Sequence, residues 1–274
     1  MTPISDSNWN EKTALITGAS SGIGEATARE LARHGLRVVL VARRRERLAE
    51  IAAEITQEGG QAEAIPADLT VEADRQRVFE QVTSAHGNVD ILVNNAGSGW
   101  YGYFTDMTWQ TAKEILQLNI SATVQFTLMF LQRMRQRGSG HIINIGSVSG
   151  SLPSQGIAIY GATKSFLDSF TTALYRELTG THLRVSVVRA GPVRTEFCET
   201  AADRQGGLHV PTEHTGVTAD LVARRIWGLL RWPRRVIYVP GWLAVTPLVE
   251  NYFGWIIDRL GPLLLRKQKP ARPQ

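Results

Sequence analysis

The sequence has little cysteine and no recognisable group of metal ligands. Cys198 is the single cysteine among 274 residues, so a disulfide within the chain is excluded. The six histidines are scattered, and no group of cysteines and histidines has the spacing of a zinc site. We therefore expect no metal, and we expect Cys198 to be a packing residue rather than a nucleophile.

Long apolar runs are also lacking. The most apolar segment, residues 242–265, is interrupted by charged residues and prolines, so it falls short of the roughly 20 apolar residues that span a bilayer. Residues 1–11 are polar and contain no apolar core like that of a signal peptide. These two absences lead us to expect a cytoplasmic protein without a transmembrane helix.

The excess of basic residues is small and dispersed. The chain has 30 Lys and Arg against 25 Asp and Glu, a net charge of +5. The basic residues concentrate in four separated segments, residues 43–47, 133–137, 224–235 and 266–272. A nucleic-acid-binding protein needs a concentrated basic surface, so we do not expect nucleic acid as a partner.

Apolar runs alternate with helix-like stretches along the whole chain. A chain of this length can form one α/β domain with a large core. Strands that alternate with helices favour a parallel sheet covered on both faces. We therefore predict a single α/β domain, a doubly wound parallel sheet with helices on both faces, whose core spans residues 11–240. An apolar C-terminal extension, residues 241–274, follows it.

A glycine-rich turn connects the first predicted strand to the first predicted helix. Residues 14–17 are apolar, residues 25–34 have a helical pattern, and Gly18, Gly22 and Gly24 lie between them. Glycine permits a tight turn and lets the backbone approach a phosphate closely, and the first amides of a helix favour an anion. The pattern G-x-x-x-G-x-G therefore predicts a site for the pyrophosphate of a dinucleotide.

The residues after the second predicted strand, residues 37–41, indicate which dinucleotide is bound. An NAD-binding unit usually has an acidic residue here, which binds the adenosine ribose. This sequence has Ala42 instead, followed by three arginines, and guanidinium groups bind phosphate well. We predict NADP(H), with Arg43 as the main contact of the 2′-phosphate and Arg44 as the second. The alternative is that residues 43–47 are only the solvated start of the next helix.

Tyr160 and Lys164 are four residues apart, and the strand predicted over residues 141–146 ends next to Ser147. On a helix, residues at this separation share one face. An ammonium near a tyrosine lowers the tyrosine pKa from its usual value of about 10, and a fixed serine hydroxyl can hold a carbonyl oxygen. The three residues predict a proton-transfer centre for a C=O or CH–OH group. A packed tyrosine beside a surface lysine would have the same spacing.

Together these motifs resemble those of the short-chain dehydrogenase/reductase superfamily. The resemblance runs from Thr13 to Thr195 and includes the cofactor turn, an Asp-Leu pair and an Asn-Asn-Ala-Gly motif after the strand at residues 91–93. It implies a Rossmann-like fold and the catalytic residues Asn119, Ser147, Tyr160 and Lys164. The expected cofactor-binding residues are then Gly18, Ser20, Ser21, Gly22, Ile23, Gly24, Arg43, Arg44, Asp68, Leu69, Asn95, Ala96, Gly97, Tyr160, Lys164, Gly191, Val193 and Thr195.

The resemblance also implies a role for each catalytic residue. Tyr160 would donate a proton to a carbonyl oxygen or remove one from an alcohol, and Ser147 would hydrogen-bond the same oxygen. Lys164 would lower the tyrosine pKa and bind the nicotinamide ribose. Asn119 would hold a water that relays protons to Lys164, although an asparagine in a helix could instead bond to its own backbone. One departure is Ala190, where the family usually has a proline, and it leaves the path of the following loop open.

Aromatic and aliphatic residues surround the expected substrate position. They are Trp100, Tyr101, Tyr103, Phe104, Leu152, Ile157, Phe197 and Leu208, the last two within a stretch, residues 192–217, that we interpret as a lid. Such a lining favours an apolar or bulky carbonyl compound or alcohol. The aromatic residues at 100–104 could instead pack between the subunits of the expected homodimer or homotetramer.

The C-terminal extension is rich in tryptophan, phenylalanine and leucine and ends in basic residues. We favour the interpretation that it covers the substrate pocket or a dimer face. The other interpretation is a peripheral membrane contact, with the extension lying in a bilayer surface as an interfacial anchor.

Three functions follow from these patterns. The first is an NADP-dependent oxidoreductase that acts on an apolar carbonyl compound or secondary alcohol. The second is a membrane-associated lipid keto-reductase with the same chemistry, which the extension suggests. The third is a non-catalytic NADP(H) sensor, which is disfavoured because a sensor would not need the whole catalytic set. The patterns leave the substrate and the direction of reaction open.

Overall fold

The computed structural model describes residues 9–208 and 216–266. Within this part of the chain, seven parallel strands form one sheet in the order β3-β2-β1-β4-β5-β6-β7. The strands are β1 (Thr13–Thr17), β2 (Arg37–Ala42), β3 (Gln61–Pro66), β4 (Ile91–Asn94), β5 (Gly140–Ser147), β6 (Leu183–Ala190) and β7 (Val236–Val239). The predicted doubly wound parallel sheet is confirmed.

Helices connect the strands and pack on both faces of the sheet. They are α1 (Gly22–Arg33), α2 (Arg45–Gln57), α3 (Glu72–His86), α4 (Trp109–Leu116), α5 (Ala122–Arg137), α6 (Ala158–Glu177), α7 (Phe197–Ala202), α8 (Ala219–Arg231) and α9 (Thr246–Arg266). The predicted boundaries of the early elements are correct to within a few residues, because strand and helix are separated there by glycines.

Two separate cores lie on the two faces of the sheet. Successive residues of a strand point to opposite faces, so in β1 Ile16 joins one cluster and Leu15 the other. Helices α1, α2 and α8 cover the first face, where Ile51 and Ile226 are fully buried. Helices α3 and α5 cover the second face, where Phe126 is buried. Helices therefore cover both faces of the sheet, which explains why the central strands are mainly apolar.

The strand order reverses between β1 and β4, and this reversal positions the site. Strands β2 and β3 lie on one side of β1, whereas β4 to β7 lie on the other. At such a point the loops that follow the two central strands diverge and leave a crevice, which is where ligands bind in sheets of this class. The glycine turn after β1 and the loop after β4 both border this crevice.

The described part of the C-terminal extension is most deeply buried at its start. It begins with a 3₁₀-helix over Gly241–Val245, where Leu243 is buried against Gly191. Thr246, at the first position of α9, is also buried, and its hydroxyl is 3.2 Å from that of Ser151. Beyond this point α9 exposes Leu248, Tyr252, Phe253, Trp255 and Leu260. No helix in the described part of the chain is both long enough and apolar enough to cross a membrane.

Candidate active site

The turn after β1 presents amide groups at the N-terminus of α1. Gly18 and Gly22 have positive φ angles of 65° and 56°, a backbone region that glycine adopts without strain. Ser21, the N-cap residue of α1, makes no side-chain hydrogen bond to the first turn. The opening amides of this 12-residue helix therefore remain suited to an anion such as a pyrophosphate.

Thr17 and Asn95 hold this turn against the loop after β4. The Thr17 hydroxyl oxygen accepts hydrogen bonds from the amides of Asn95 and Ala96, both at 2.9 Å. The Asn95 side-chain nitrogen donates to the carbonyl oxygens of Thr17, at 2.9 Å, and Gly18, at 3.1 Å. The resemblance implies that Asn95 binds the cofactor, and in the structure its amide nitrogen supports the turn that would do so.

Gly24 allows α1 to approach the turn closely, and this gives a stability prediction. A Cβ added at Gly24 would lie 2.3 Å from the Gly18 carbonyl oxygen and 2.5 Å from the Asn95 side-chain nitrogen. We expect Gly24→Ala to reduce the free energy of unfolding by about 1–3 kcal/mol. The melting temperature should then fall by roughly 2–4 °C per kcal/mol.

Gly228 supplies a matched control for this substitution. It also lies within a helix, α8, but a Cβ added there would meet nothing within 4 Å. Gly228→Ala should therefore raise stability by about 0.4–1 kcal/mol, because alanine has less conformational entropy to lose on folding. Thermal melts of both variants check the prediction, and equal stability changes would contradict a steric role for Gly24.

The two predicted phosphate-binding arginines have different surroundings. Arg43 lines an open cleft together with Asp68, near the ends of β2 and β3. Arg44 instead donates from Nε to the Ser20 hydroxyl, at 3.2 Å, and from Nη2 to the Ser20 carbonyl, at 3.0 Å. Its guanidinium also forms an ion pair with Glu196 at 2.9 Å. Arg44 is thus held by protein groups against the turn, whereas Arg43 borders the cleft.

Asp68 and Leu69, the Asp-Leu pair among the expected cofactor-binding residues, lie at the same edge of the sheet, where Asp68 lines the cleft with Arg43. The Asp68 carboxylate accepts hydrogen bonds from the amide of Thr70, at 2.9 Å, and from its hydroxyl, at 2.8 Å. Leu69 is buried in the second core, and its carbonyl accepts from Arg75 at 2.7 Å. These hydrogen bonds hold the loop after β3 in place, with the Asp68 carboxylate in the cleft that Arg43 also lines.

The end of β5 and the first turns of α6 bring the predicted catalytic set together. Ser147 is the last residue of β5, and Tyr160 and Lys164 lie one turn apart on α6. A hydrogen bond joins the side chains of Ser147 and Tyr160. The Lys164 nitrogen is 5.7 Å from the centre of the Tyr160 ring. The three side chains chosen from their spacing are therefore neighbours in the fold.

The pKa of Tyr160 moves in the opposite direction from the one we expected. Burial raises the pKa of Tyr160 to about 12, and the hydrogen bond with Ser147 only opposes this rise. Burial also lowers the pKa of Lys164 to about 8, which the Asp168 carboxylate opposes. The expected lowering of the tyrosine pKa was wrong for this structure, because burial disfavours the phenolate more than the hydrogen bond with Ser147 favours it. Lys164 donates instead to the Ile145 carbonyl, at 2.7 Å.

Asn119 is buried in a π-helical turn, Gln117–Ser121, between α4 and α5. Its Oδ1 accepts from the Ser98 amide at 2.8 Å, and its Nδ2 donates to the Ser98 carbonyl at 2.9 Å and to the Thr163 hydroxyl at 3.0 Å. The side chain thus ties the loop after β4 to α6 instead of bonding to its own helix. Both polar atoms of the Asn119 side chain therefore already have protein partners.

The segment after β6 passes between the glycine turn and Tyr160. Val193 forms a bridge with Val217. A Cβ added at Gly22 of the glycine turn would lie 2.8 Å from the Thr195 side chain, so this segment is in contact with the turn. In the loop after β4, a Cβ added at Gly97 would lie 3.8 Å from the Lys164 nitrogen. The loop whose path Ala190 left open therefore lies against the crevice. Residues 209–215 of the predicted lid are outside the described residues.

Only part of the predicted aromatic lining faces inward. The Phe197 ring is 5.5 Å from the Tyr160 ring. Trp100 is buried, and its indole donates to the Gln205 carbonyl at 3.2 Å. Tyr103 and Phe104 are exposed at the rim. The side of Tyr160 next to Phe197 is therefore apolar, but fewer aromatic residues contribute to it than the sequence predicts.

Sequence reasoning missed an acidic residue behind Lys164. Asp168 lies one turn further along α6, is buried, and pairs with Arg189 of β6 at 2.9 Å. Two signals could have found it. Lys164 and Asp168 have the i, i+4 spacing of an ion pair on one helix face, and Arg189 is a charged residue that follows two valines near the end of β6.

Comparisons with known proteins agree with this architecture. Residues 12–206 match the family model described as short chain dehydrogenase. A fatty acyl-CoA reductase of Acinetobacter baylyi is 34% identical over 256 residues, covering 89% of this chain and 83% of that protein. A ketoacyl reductase of Nostoc sp. is 34% identical over 204 residues, covering 73% of this chain and 71% of that protein.

A solved structure extends the similarity to nearly the whole chain. The short-chain dehydrogenase from Sphingobium yanoikuyae in complex with NADPH has a TM-score of 0.78 and 32% sequence identity. The similarity covers 96% of this chain and 98% of that one.

Proposed function

Because the chain belongs to the short-chain dehydrogenase family, we propose that it is an NADP(H)-dependent oxidoreductase that interconverts a carbonyl group and a secondary alcohol on an apolar substrate. The observation that carries this proposal is the contact of Ser147, Tyr160 and Lys164 beside the crevice after β1 and β4. Family membership defines a fold better than it defines a reaction. The reaction instead depends on the chemistry of these three side chains.

The residues around the crevice suit a phosphorylated dinucleotide. When bound, the nicotinamide supplies or accepts the hydride. The uncapped start of α1 would hold its pyrophosphate. Arg43 and Arg44 would hold the 2′-phosphate, and Ala42 takes the place of the acid that an NAD site uses. Asp68 and Leu69 would contact the adenine, and Lys164 the nicotinamide ribose. The NADPH in the similar Sphingobium structure supports this choice.

The protein's own groups would handle the proton. In the reductive direction, Tyr160 would donate its proton to the substrate oxygen, and Ser147 would hydrogen-bond that oxygen as negative charge develops. Burial raises the pKa of Tyr160 to about 12, so the phenol carries its proton at neutral pH but is a weaker acid than a free tyrosine, and the transfer would depend on stabilisation of the phenolate by Lys164. In the oxidative direction the phenol must lose its proton first, which the nearby Lys164 ammonium would favour.

A substrate screen tests this proposal. NADPH consumption would be followed with ketones, aldehydes, ketosteroids and acyl thioesters. We expect consumption with at least one apolar ketone, because the wall next to Tyr160 includes the ring of Phe197. NADPH binding without consumption in any class would instead favour the non-catalytic sensor.

A membrane-associated lipid keto-reductase is the second candidate, and the exposed face of α9 favours it. Leu248, Tyr252, Trp255 and Arg259 follow one another at helical spacing and are all exposed, Tyr252 by 71% and Trp255 by 65%. Tyrosine and tryptophan prefer the interface between lipid and water. The names of the similar ketoacyl and fatty acyl-CoA reductases fit a lipid substrate.

Helix α9 is also joined to the substrate side of the site. The Gln155 side chain, from the loop between Ser147 and Tyr160, donates to the Ile257 carbonyl at 3.2 Å. A bilayer in contact with α9 would therefore lie near the entrance for substrate. The basic residues that follow in the sequence, Lys267, Lys269 and Arg272, lie outside the described residues, but their charge would favour anionic headgroups.

Co-sedimentation with anionic vesicles checks this second candidate. We expect the full chain to pellet with the vesicles at low salt, and Tyr252→Ser combined with Trp255→Ser to weaken pelleting, because each removes apolar area from the interface. Trp109→Ser is the matched control, since Trp109 is 73% exposed but lies on α4. Truncation after Gly241 is a poorer test, because it also removes the buried Leu243.

Other results would separate the candidates. A chain that stays in the supernatant, and whose α9 substitutions convert a larger assembly into a smaller one on gel filtration, would assign this face to the proposed homodimer or homotetramer. Equal loss of pelleting with Trp109→Ser would show that the contact is not specific to α9.

A further inference from the structure

A buried chain of charged and polar groups lies behind Lys164, and the proposed reaction does not yet use it. Lys164 and Asp168 lie one turn apart on α6, and both are 6% exposed. Arg189 of β6 donates from Nε to Asp168 Oδ1 at 2.9 Å. The same guanidinium donates to the hydroxyl of Tyr238 on β7 and lies 5.2 Å from the centre of that ring.

In these contacts only one of the two carboxylate oxygens of Asp168 accepts a hydrogen bond. Among the described residues, its second oxygen, Oδ2, is buried and has no hydrogen-bond partner. This oxygen lies close to Gly150 and to the backbone of Lys164. A Cβ added at Gly150 would be 2.8 Å from Asp168 Oδ2 and 2.8 Å from the carbonyl carbon of Lys164. An unsatisfied buried carboxylate oxygen costs stability, so a carboxylate at this position is expected to act on a neighbouring charge.

We propose that Asp168, held in place by Arg189, is a positioning residue that keeps the Lys164 amine charged beside Tyr160. The inference rests on the role proposed for Lys164, but its first test needs no turnover. Burial raises the pKa of the Asp168 carboxyl, and Arg189, followed by Lys164, opposes this rise and so favours the ionised form. The carboxylate then offsets the cost of holding an ammonium away from water.

The electrostatics of the surrounding elements agree with this assignment. Burial lowers the pKa of Lys164 to about 8, and Asp168 is the group that opposes the fall. The other titratable or charged groups around the pair are Tyr160 on the same helix, Arg189 on β6, Tyr238 on β7 and Cys198 on α7, which acts on Tyr160. With a neutral residue at position 168, the Lys164 amine would lose the negative charge that opposes the effect of burial, so its pKa would fall further.

A direct titration of Lys164 tests the proposal. The sequence has five lysines, so NMR of protein made with isotope-labelled lysine can resolve each side chain, and Lys164→Met identifies the Lys164 signal. In Asp168→Asn, which has nearly the same shape but no charge, we expect the Lys164 midpoint to fall by about one pH unit or more. Asp168→Glu keeps the charge and should restore most of the midpoint.

The outcomes are decisive in either direction. An unchanged midpoint in folded Asp168→Asn overturns the proposal, and Asp168→Ser provides a second neutral variant if asparagine is not tolerated. The wild-type midpoint is itself a test, because a Lys164 that is already neutral at pH 7 is not being held as an ammonium.

Kinetics with a substrate from the screen add a second readout. In Asp168→Asn the alkaline limb of the kcat profile should move to lower pH together with the NMR midpoint. A purely structural residue would lower kcat at all pH values without moving the limb, and that result would overturn the proposal. If no substrate is found, the proposed function fails, but the NMR titration still decides the electrostatic role of Asp168.

Discussion

Tyr160→Phe should reduce turnover by roughly 10²–10⁴-fold, the usual contribution of a general acid–base group, while NADPH still binds. The substitution removes only the hydroxyl, so the packing of the ring against Phe197 is kept. The proton donor for the substrate oxygen is lost, and Ser147 cannot replace it because its hydroxyl is not paired with an ammonium. The measurement is kcat with any active substrate, together with the Kd of NADPH from fluorescence titration.

A second tyrosine on the same helix serves as the control. Tyr175 is also partly buried and packs against the second core, so Tyr175→Phe removes a hydroxyl from α6 far from Ser147. This variant should keep near-normal kcat. If Tyr160→Phe also turned over at a near-normal rate, Tyr160 would not be the acid–base group.

Arg43→Ala should weaken NADPH binding by roughly ten- to a hundredfold and leave NADH binding almost unchanged. A hydrogen bond to a charged group contributes about 1.5–3 kcal/mol, and only NADPH carries the 2′-phosphate that would receive it. Arg43 borders the open cleft that contains Asp68, so the guanidinium is available to a ligand there. Dissociation constants for both cofactors, measured at one fixed salt concentration, check the prediction.

Neighbouring arginines distinguish phosphate recognition from general charge. Arg45 lines the same cleft at the start of α2, and Arg45→Ala should change the two affinities little and equally. Arg44→Ala should have a smaller effect on selectivity than Arg43→Ala, because Arg44 already bonds Ser20 and Glu196. A larger effect at Arg44 would reverse the order of the two residues, and equal losses for NADPH and NADH at Arg43 would refute its role.

Local sequence patterns were sufficient to predict the fold class and most of the proposed catalytic residues. The alternation of apolar strands with helices depends on neighbours in sequence, and so does the glycine turn between β1 and α1. Tyr160 and Lys164 could be paired because the geometry of a helix places i and i+4 on one face. Ser147 could be added because the strand β5 ends at that residue. None of these steps requires knowledge of a distant contact.

Contacts between distant residues decided what remained. The side chain of Asn119 bonds Ser98 and Thr163, which no local rule predicts. The pairing of Arg44 with Glu196 joins residues 152 positions apart. The exposure of the C-terminal helix beyond Thr246 likewise depends on how far the core surface extends.

The sequence by itself therefore determined the doubly wound sheet, the glycine turn and the neighbouring positions of Ser147, Tyr160 and Lys164. Only the tertiary structure decided the sign of the Tyr160 pKa shift and which charged groups surround Lys164. Spacing shows that an ammonium is near a phenol, but desolvation depends on every group packed around them. Asp168 and Arg189 become a pair only when α6 lies on β6, because electrostatic energy follows distance and burial in space rather than separation along the chain.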